Sequence, residues 1–450
     1  MDRVKFAAVS VATRMTTKII GVTRKGKGQA APGLVALKLD PELIKRAHKY
    51  FERSVFVTGT NGKTTTTKLL TLAIRKSGQK VISNETGSNL ERGLAASIAN
   101  YLSGFGKIGS TMAVWETDES AFAKMMPDLN ADVVVLLNLF RDQLDRYGEI
   151  DSTAKKIYEA IKKKKHLRLV VNADDPYMVA IAKNFENVTY FAVKTKTPTN
   201  TQKLTKDAIT CPYCFGELVF KSPLYSHLGE FQCQNCKFGS PKAEYEIMDF
   251  DKSFIYVKRG KNIIKLPRIS GGFYNIYNEL AAFAAAELLD VKVNDFVIAA
   301  KEFKVPFGRY EKMSFGGKEI TTVLVKNPTG MSQALQAIIE ENKNNTLVLG
   351  LNSKIADGRD TSWIWDVDFE DYILRSKTFT FVVTGQRKWD IALRIKSVGV
   401  LPERIIVVDS YKRALEKATK SNSDAVYYLP TYTALMESME VFDKTKNDSL

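Results

Sequence analysis

The sequence predicts an α/β protein in two parts. A central unit is built on a phosphate-binding loop and carries a four-cysteine insertion, and a smaller Rossmann-like α/β unit follows it. Three observations predict this. The apolar strand Ser54-Val55-Phe56-Val57-Thr58 runs straight into a glycine-containing loop and then a helix. All four cysteines fall between positions 211 and 236. The alternation of strands and helices breaks at Pro306-Phe307-Gly308-Arg309 and restarts from about 316.

Taken in order, residues 32–50 read as one helix leading into that first strand. Strands are expected at Lys80–Ser83, Thr111–Glu116, Asp132–Asn138 and Leu167–Asn172, with helices over Lys63–Lys76 and Ser152–Lys163. Short apolar strands separated by amphipathic helices argue for a largely parallel sheet. A polar, turn-rich insertion spans roughly 197–247; a strand at Phe254–Lys258, an alanine-rich helix over Asn275–Leu288 and a helix ending near Phe303 follow it. Beyond the junction, strands are expected near Glu319–Val325, Thr346–Leu351, Phe379–Thr384, Arg404–Val408 and Ala425–Leu429. The expected divisions are 1–50, a basic amphipathic helical segment; 51–309, the central ATP-binding unit; and 310–450, the last α/β unit.

Composition narrows the function. The 450 residues are 44% apolar, enough for a large core, and no apolar run reaches the roughly 18 residues of a membrane span. No secretory signal is legible, so a cytoplasmic location is expected. Lys and Arg number 66 against 50 Asp and Glu, a net charge of +16 that suits nucleic acid, anionic lipid or phosphorylated substrates. Lys162-Lys163-Lys164-Lys165 reads as a solvated helix end or a lipid-facing surface. Near the N-terminus, Val4, Phe6, Val9, Val11, Met15, Ile19 and Ile20 interleave with Arg3, Lys5, Arg14 and Lys18, before the basic run Arg24-Lys25-Gly26-Lys27-Gly28. Such a helix can lie on the inner face of a membrane or pack on its own domain.

The strand–loop–helix context of Gly59-Thr60-Asn61-Gly62-Lys63-Thr64-Thr65 is that of a nucleotide phosphate site. Glycines let backbone N–H groups approach the phosphates, and the helix N-terminus adds its dipole. Lys63 neutralises charge during phosphoryl transfer, and the Thr64 hydroxyl can coordinate Mg²⁺. ATP and Mg²⁺ are the expected cofactors. Cys211-Pro212-Tyr213-Cys214, 18 residues, then Cys233-Gln234-Asn235-Cys236 forms two CxxC knuckles, the spacing of a structural Zn²⁺ ribbon. Disulfides are not expected in the cytosol. The segment between the knuckles lacks a basic-aromatic cluster, so no nucleic-acid partner is expected.

The string GTNGKTTT resembles the Mur ligases and folylpolyglutamate synthases, which activate a carboxylate as an acyl phosphate before an amine attacks it. The resemblance continues in order to about 330. It assigns Mg²⁺ binding to Glu116, in Trp115-Glu116-Thr117-Asp118-Glu119. Asn138-Leu139-Phe140-Arg141-Asp142-Gln143-Leu144-Asp145-Arg146-Tyr147-Gly148 and Asn172-Ala173-Asp174-Asp175 match further family segments, although Gln143 and Tyr147 replace two histidines. Asn275-x-x-Asn278 is similar to the segment reaching the adenine, and Gly308-Arg309 to the pair before the last domain, which places Asn278 and Arg309 at the nucleotide. Amino-acid-adding members carry D-Y-A-H-N-P where this chain has Val323-Leu324-Val325-Lys326-Asn327-Pro328, and the incoming amino acid's site is eroded. The phosphate loop begins too early for the usual UDP-binding domain.

A loop after the strand ending Leu349-Gly350-Leu351 carries Ala356-Asp357-Gly358-Arg359-Asp360-Thr361-Ser362-Trp363. From its chemistry alone this is equally a helix cap, through Asp360 or Thr361, or a functional loop. Together with the four-cysteine insertion it resembles, along essentially the whole chain, the ligase-like subunits of bacterial lipid II isoglutaminyl synthases. That resemblance implies amidation of the D-glutamate α-carboxylate of the lipid II stem peptide to D-isoglutamine. It also implies a GatD-type glutaminase partner that supplies ammonia, with Asp360 completing the partner's triad. The residues agree: glutamine hydrolysis needs an activated Cys with a His, every Cys is committed to the ribbon, and His48, His166 and His227 lie in no nucleophile setting. The alternatives are an amino-acid-adding ligase and a P-loop ATPase that binds nucleic acid.

Overall fold

A computed structural model describes residues 2–23, 30–84, 89–101, 111–141, 150–194, 210–269, 272–304 and 308–447. The run Arg24–Gly28 and the 142–148 part of the Asn138–Gly148 segment lie outside them, as does the side chain of Arg309. The chain begins with α1 (Asp2–Thr23), α2 (Ala30–Leu39) and α3 (Leu43–His48). The single helix expected over 32–50 is thus two. Pro41 drives Asp40 out of the helical region, and the Asp40 carboxylate then accepts the Glu42 N–H at 3.1 Å.

The central sheet is formed by β1 (Arg53–Thr58), β2 (Lys80–Ser83), β3 (Thr111–Glu116), β4 (Val133–Leu136), β5 (Arg168–Asn172) and β6 (Val188–Val193), with β9 (Tyr245–Phe250), β10 (Phe254–Arg259) and β11 (Asn262–Pro267). Their order is β11-β10-β9-β6-β5-β4-β1-β3-β2. Pairing is parallel from β9 to β2 and antiparallel only at the β9–β10–β11 edge. Every residue of β3 and all of β1 after Arg53 are buried, the mark of parallel strands covered on both faces. On one face α4 (Lys63–Lys76) and the helix Tyr274–Leu288 pack through Leu69, Leu70, Leu280 and Phe283. On the other, Phe6, Val9, Leu43 and Ala47 of the first helices join Phe56, Trp115 and Phe122 in one core. The N-terminal segment therefore packs on its own sheet, while Val11, Met15 and Ile19 stay exposed.

The strands β7 (Leu218–Tyr225) and β8 (Leu228–Cys233) form a separate antiparallel hairpin. The second sheet has the order β12-β13-β17-β14-β15-β16, from β12 (Arg309–Phe315), β13 (Lys318–Val323), β14 (Asn345–Gly350), β15 (Thr378–Thr384), β16 (Ile405–Val407) and β17 (Ala425–Pro430). It starts at Arg309, earlier than the expected 316, because β12 is an antiparallel edge strand whose polar, half-exposed sequence carries little strand signal.

Candidate functional site

The loop between β1 and α4 takes two left-handed turns, at Gly59 (φ 132°) and Gly62 (φ 90°). A Cβ on Gly62 would lie 1.9 Å from Asn278 Oδ1, and one on Gly59 would lie 2.8 Å from the Asn138 carbonyl. Only glycine fits either place. Helix α4 opens at Lys63 with no side chain capping it, so its first N–H groups face outward at the positive end of the dipole.

Lys63 is 6% exposed. Its ammonium donates to the carbonyl of Gly59 and, at 3.2 Å, to that of Thr60, and it pairs with Glu119 at 3.4 Å. Burial works to raise the Glu119 pKa, but Lys63 and Lys326 outweigh it and hold the carboxyl below the usual range. The Thr64 hydroxyl donates to Glu116 Oε1 at 3.0 Å. Glu116 is fixed in turn by Asn84, which accepts its N–H at 2.9 Å and donates to its carbonyl at 2.8 Å. A hydroxyl and a carboxylate so placed beside the phosphate loop form a hard-oxygen pair suited to Mg²⁺.

Not every residue of the loop lines the cleft. The Thr60 hydroxyl donates to the Phe140 carbonyl at 3.3 Å and accepts its N–H at 3.0 Å. Asn61 and Asn138 exchange backbone–side-chain bonds of 2.9 and 3.1 Å. Thr60 and Asn61 therefore brace the loop, and Thr65 is buried. Asn278 lies against Gly62 and donates to Asn275 Oδ1 at 3.0 Å. From the second unit, Asn327 Nδ2 reaches Asn61 Oδ1 at 3.3 Å. The structure thus brings Gly59–Thr65, Glu116 and Asn278 together. Sequence reasoning passed over Glu119, Asn84 and Lys326; for Glu119, a second acid three residues after Glu116 was the available signal.

Asp360 lies elsewhere, in the loop after β14. Its carboxylate is half-buried and accepts the Ser362 N–H at 2.8 Å and hydroxyl at 2.9 Å, a local turn. Asp357 of the same loop is buried and committed to Thr433, whose N–H it accepts at 2.7 Å. Ile355 in this loop and Trp365 in the turn after it are exposed, as are Trp389 and Leu393 further along the chain. Arg394 joins the turn Ser362–Asp366 to the helix Lys388–Ser397 by donating to the Ile364 carbonyl at 3.2 Å.

The four cysteine sulfurs lie within 4.8 Å of one another. Cys211 and Cys236 are 3.7 Å apart, and Cys214 and Cys233 are 3.5 Å apart. A tetrahedron with ~2.3 Å metal–sulfur bonds has edges of about 3.8 Å, so the cluster fits Zn²⁺. The Asn235 N–H donates to Cys233 Sγ at 3.4 Å, which favours the thiolate.

Comparison with known proteins places the chain in a family. The Mur ligase middle domain matches residues 57–286, and the MurT ligase C-terminal domain matches 324–435. A Streptococcus pneumoniae protein named lipid II isoglutaminyl synthase (glutamine-hydrolyzing) subunit MurT is 33% identical over 93% of each chain. A Staphylococcus aureus protein of the same name is 30% identical, over 93% of this chain and 94% of its own. Among solved structures, a pseudomurein peptide ligase type C from Methanothermus fervidus aligns with a TM-score of 0.65 at 21% identity, covering 87% of this chain and 78% of its own. A MurF ligase from Thermotoga maritima in complex with ADP aligns with a TM-score of 0.62 at 17% identity, covering 93% and 85%. These two show the shared fold. Matched in both units and over nearly its whole length, the chain belongs to the Mur ligase family, in the branch of the MurT subunits.

Proposed function

We propose that this chain is the ligase subunit of a lipid II isoglutaminyl synthase. It amidates the α-carboxylate of D-glutamate in the lipid II stem peptide, using ATP and ammonia from a GatD-type glutaminase. The observation that carries this reading is an intact phosphate-loop site, with Lys63 on Glu119 and Thr64 on Glu116, in a chain that matches MurT subunits over 93% of its length.

In this reading the carboxylate oxygen attacks the γ-phosphorus and ADP leaves. Ammonia then attacks the carbonyl carbon, phosphate departs with that oxygen, and the surplus proton passes to solvent or a base. The N–H groups at the start of α4 hold the phosphates, and Lys63 shifts from Glu119 towards the γ-phosphate as charge builds there. Mg²⁺ supplies further neutralisation, and Thr64 and Glu116 are the residues placed to hold it. Asn278 and Arg309 serve the nucleotide. The cysteine cluster holds structural Zn²⁺, and the divisions 1–50, 51–309 with its 197–247 ribbon, and 310–450 are the proposed domains.

Asp360 is assigned to the partner's triad, where it orients a histidine. The exposed apolar side chains of Ile355, in the same loop, and Trp365, in the turn after it, support a docking face there. No helix is long and apolar enough to cross a membrane among the described residues. The exposed stripe of Val11, Met15 and Ile19, beside Arg14 and Lys18, supports peripheral contact with the anionic bilayer that carries lipid II.

The test is amidation by the isolated chain with ATP, lipid II and either ammonium, glutamine or free amino acids. Product with ammonium alone is expected. A stable amino-acid adduct would make this an amino-acid-adding ligase instead.

A further inference from the structure

The β7–β8 hairpin ends in the thiolate cluster at one end and in a buried tip at the other. Leu218 pairs with Cys233 at the metal end. At the tip, Leu224 and Leu228 enter the same core as Tyr277 and Leu280 of the helix Tyr274–Leu288, which packs on the central sheet. The Gly229 N–H donates to the Asp174 carbonyl at 3.1 Å. A metal knuckle needs only its own short hairpin, so a tip inserted into another core asks for a second role.

His227 stands at that tip and is 0% exposed. Neither of its ring nitrogens has a hydrogen-bond partner among the described residues. Asp175 Oδ2 lies 3.5 Å from its Nε2. The ring packs on Phe140 at 4.9 Å between centroids and meets Tyr177 edge-on at 6.3 Å. A histidine retained for packing alone would have its nitrogens bonded or be replaced by an apolar ring, since an unpaired buried donor is costly.

The neighbours of His227 lead to the phosphate loop. Asp175 Oδ2, the oxygen facing the ring, also accepts the Leu139 N–H at 2.8 Å. The next residue, Phe140, exchanges both of its backbone groups with the Thr60 hydroxyl. Asn138 accepts the Thr60 N–H at 2.8 Å through its carbonyl and the Asn61 N–H at 2.9 Å through its side chain. Segment 138–140 is therefore held from below by His227 and Asp175, and it holds Thr60 and Asn61 from above.

We propose that the cysteine hairpin is a brace for the phosphate loop, with His227 as a positioning residue that acts through Asp175 and segment 138–140, so that zinc binding and nucleotide binding are coupled. This rests on the phosphate loop's being the nucleotide site. Loss of the metal frees one end of the hairpin, the tip withdraws from Asp175 and Phe140, and the 138–140 segment loses its support. Because coupling between binding sites is reciprocal, nucleotide must strengthen zinc retention by the same factor.

The experiment measures ADP·Mg²⁺ binding to the full chain by calorimetry, zinc-loaded or stripped with a zinc-selective chelator. Removing zinc is expected to weaken ADP binding about tenfold. His227→Phe keeps the ring and the cysteines, so it should retain zinc yet lose a comparable factor, and stripping zinc from it should add little. His227→Asn, whose amide can donate to Asp175, should recover part of the loss. Zinc stripping of the wild type carries the test even where a variant fails to fold. Equal ADP affinity with and without zinc overturns the brace. Failure of ADP to bind the zinc-loaded wild type overturns the nucleotide-site reading itself, and the brace with it.

Discussion

Lys63 lies between two loop carbonyls and the Glu119 carboxylate, a buried cation whose partner a phosphate would replace in the proposed reaction. Removing one member of such a buried pair strands the other. Lys63→Ala should therefore cut ATP-dependent turnover by roughly 10²-fold or more; a variant with near-normal turnover in the amidation assay would remove Lys63 from the chemistry. Glu279, next to Asn278, is a different case. It is fully buried, Oε2 accepts the Ile269 N–H at 3.0 Å, and Oε1 has no partner among the described residues. Burial pushes its pKa up to about 8. Between about 4.3, the unfolded value, and that raised value, the folded chain keeps a proton that the unfolded chain has released. Its contribution to stability therefore falls as pH rises. Glu279→Gln should melt several degrees above the wild type at pH 8, with the difference closing towards pH 5. The same difference at both pH values would show that ionisation is not the cause.

The elements legible in the sequence were those with an unambiguous pattern. β1 to β5 are apolar strands, and the helices Lys63–Lys76 and Ile150–Ile161 are amphipathic; their ends fell within a few residues of the observed ones, while the helices Glu91–Tyr101, Glu119–Met125 and Pro176–Ala182 were passed over. The strands passed over are β6, β7, β8, β9, β11 and β12. Two of these, β11 and β12, are edge strands, and β11 leaves Asn262, Ile263 and Lys265 exposed. Period-2 patterning fades where one face is solvent and no neighbour covers the other. The CxxC spacing announced the thiolate cluster, but nothing in the spacing could tell that the hairpin tip enters the central core, because that is set by long-range packing of Leu224 and Leu228. Cys211, fully buried, is the knuckle residue most tied to the core of the insertion. Cys211→Ser should release zinc, measured by a chelating dye, and abolish protection of the 211–236 amides in hydrogen exchange. A metal-free wild type with those amides fully protected would refute the ribbon.

At the scale of the molecule, the two units meet at the site. Asn327 reaches Asn61, Lys326 lowers the Glu119 pKa, and Arg141 pairs with Asp366 at 3.6 Å. The motif strings put the phosphate loop, Glu116 and Asn278 in one site before any coordinates; Glu119, Asn84 and Lys326 needed the fold, since their roles come from contacts between distant segments. In the proposed function carboxylate activation falls to the phosphate-loop site, and Asp360, in the loop after β14, serves the ammonia supply. With the glutaminase present, Asp360→Asn should lower glutamine-dependent amidation roughly 10³–10⁴-fold and leave ammonium-dependent amidation intact; equal loss of both would move Asp360 into the ligase site or the fold. The account as a whole requires that one carboxylate oxygen leave with phosphate and that nitrogen arrive as ammonia. The most direct measurement supplies lipid II with an ¹⁸O-labelled D-glutamate α-carboxylate, ATP and ¹⁵N-ammonium, and reads both products by mass spectrometry. The predicted result is one ¹⁸O in the released phosphate for each ¹⁵N-amide formed, and amide formation with unlabelled phosphate would contradict it.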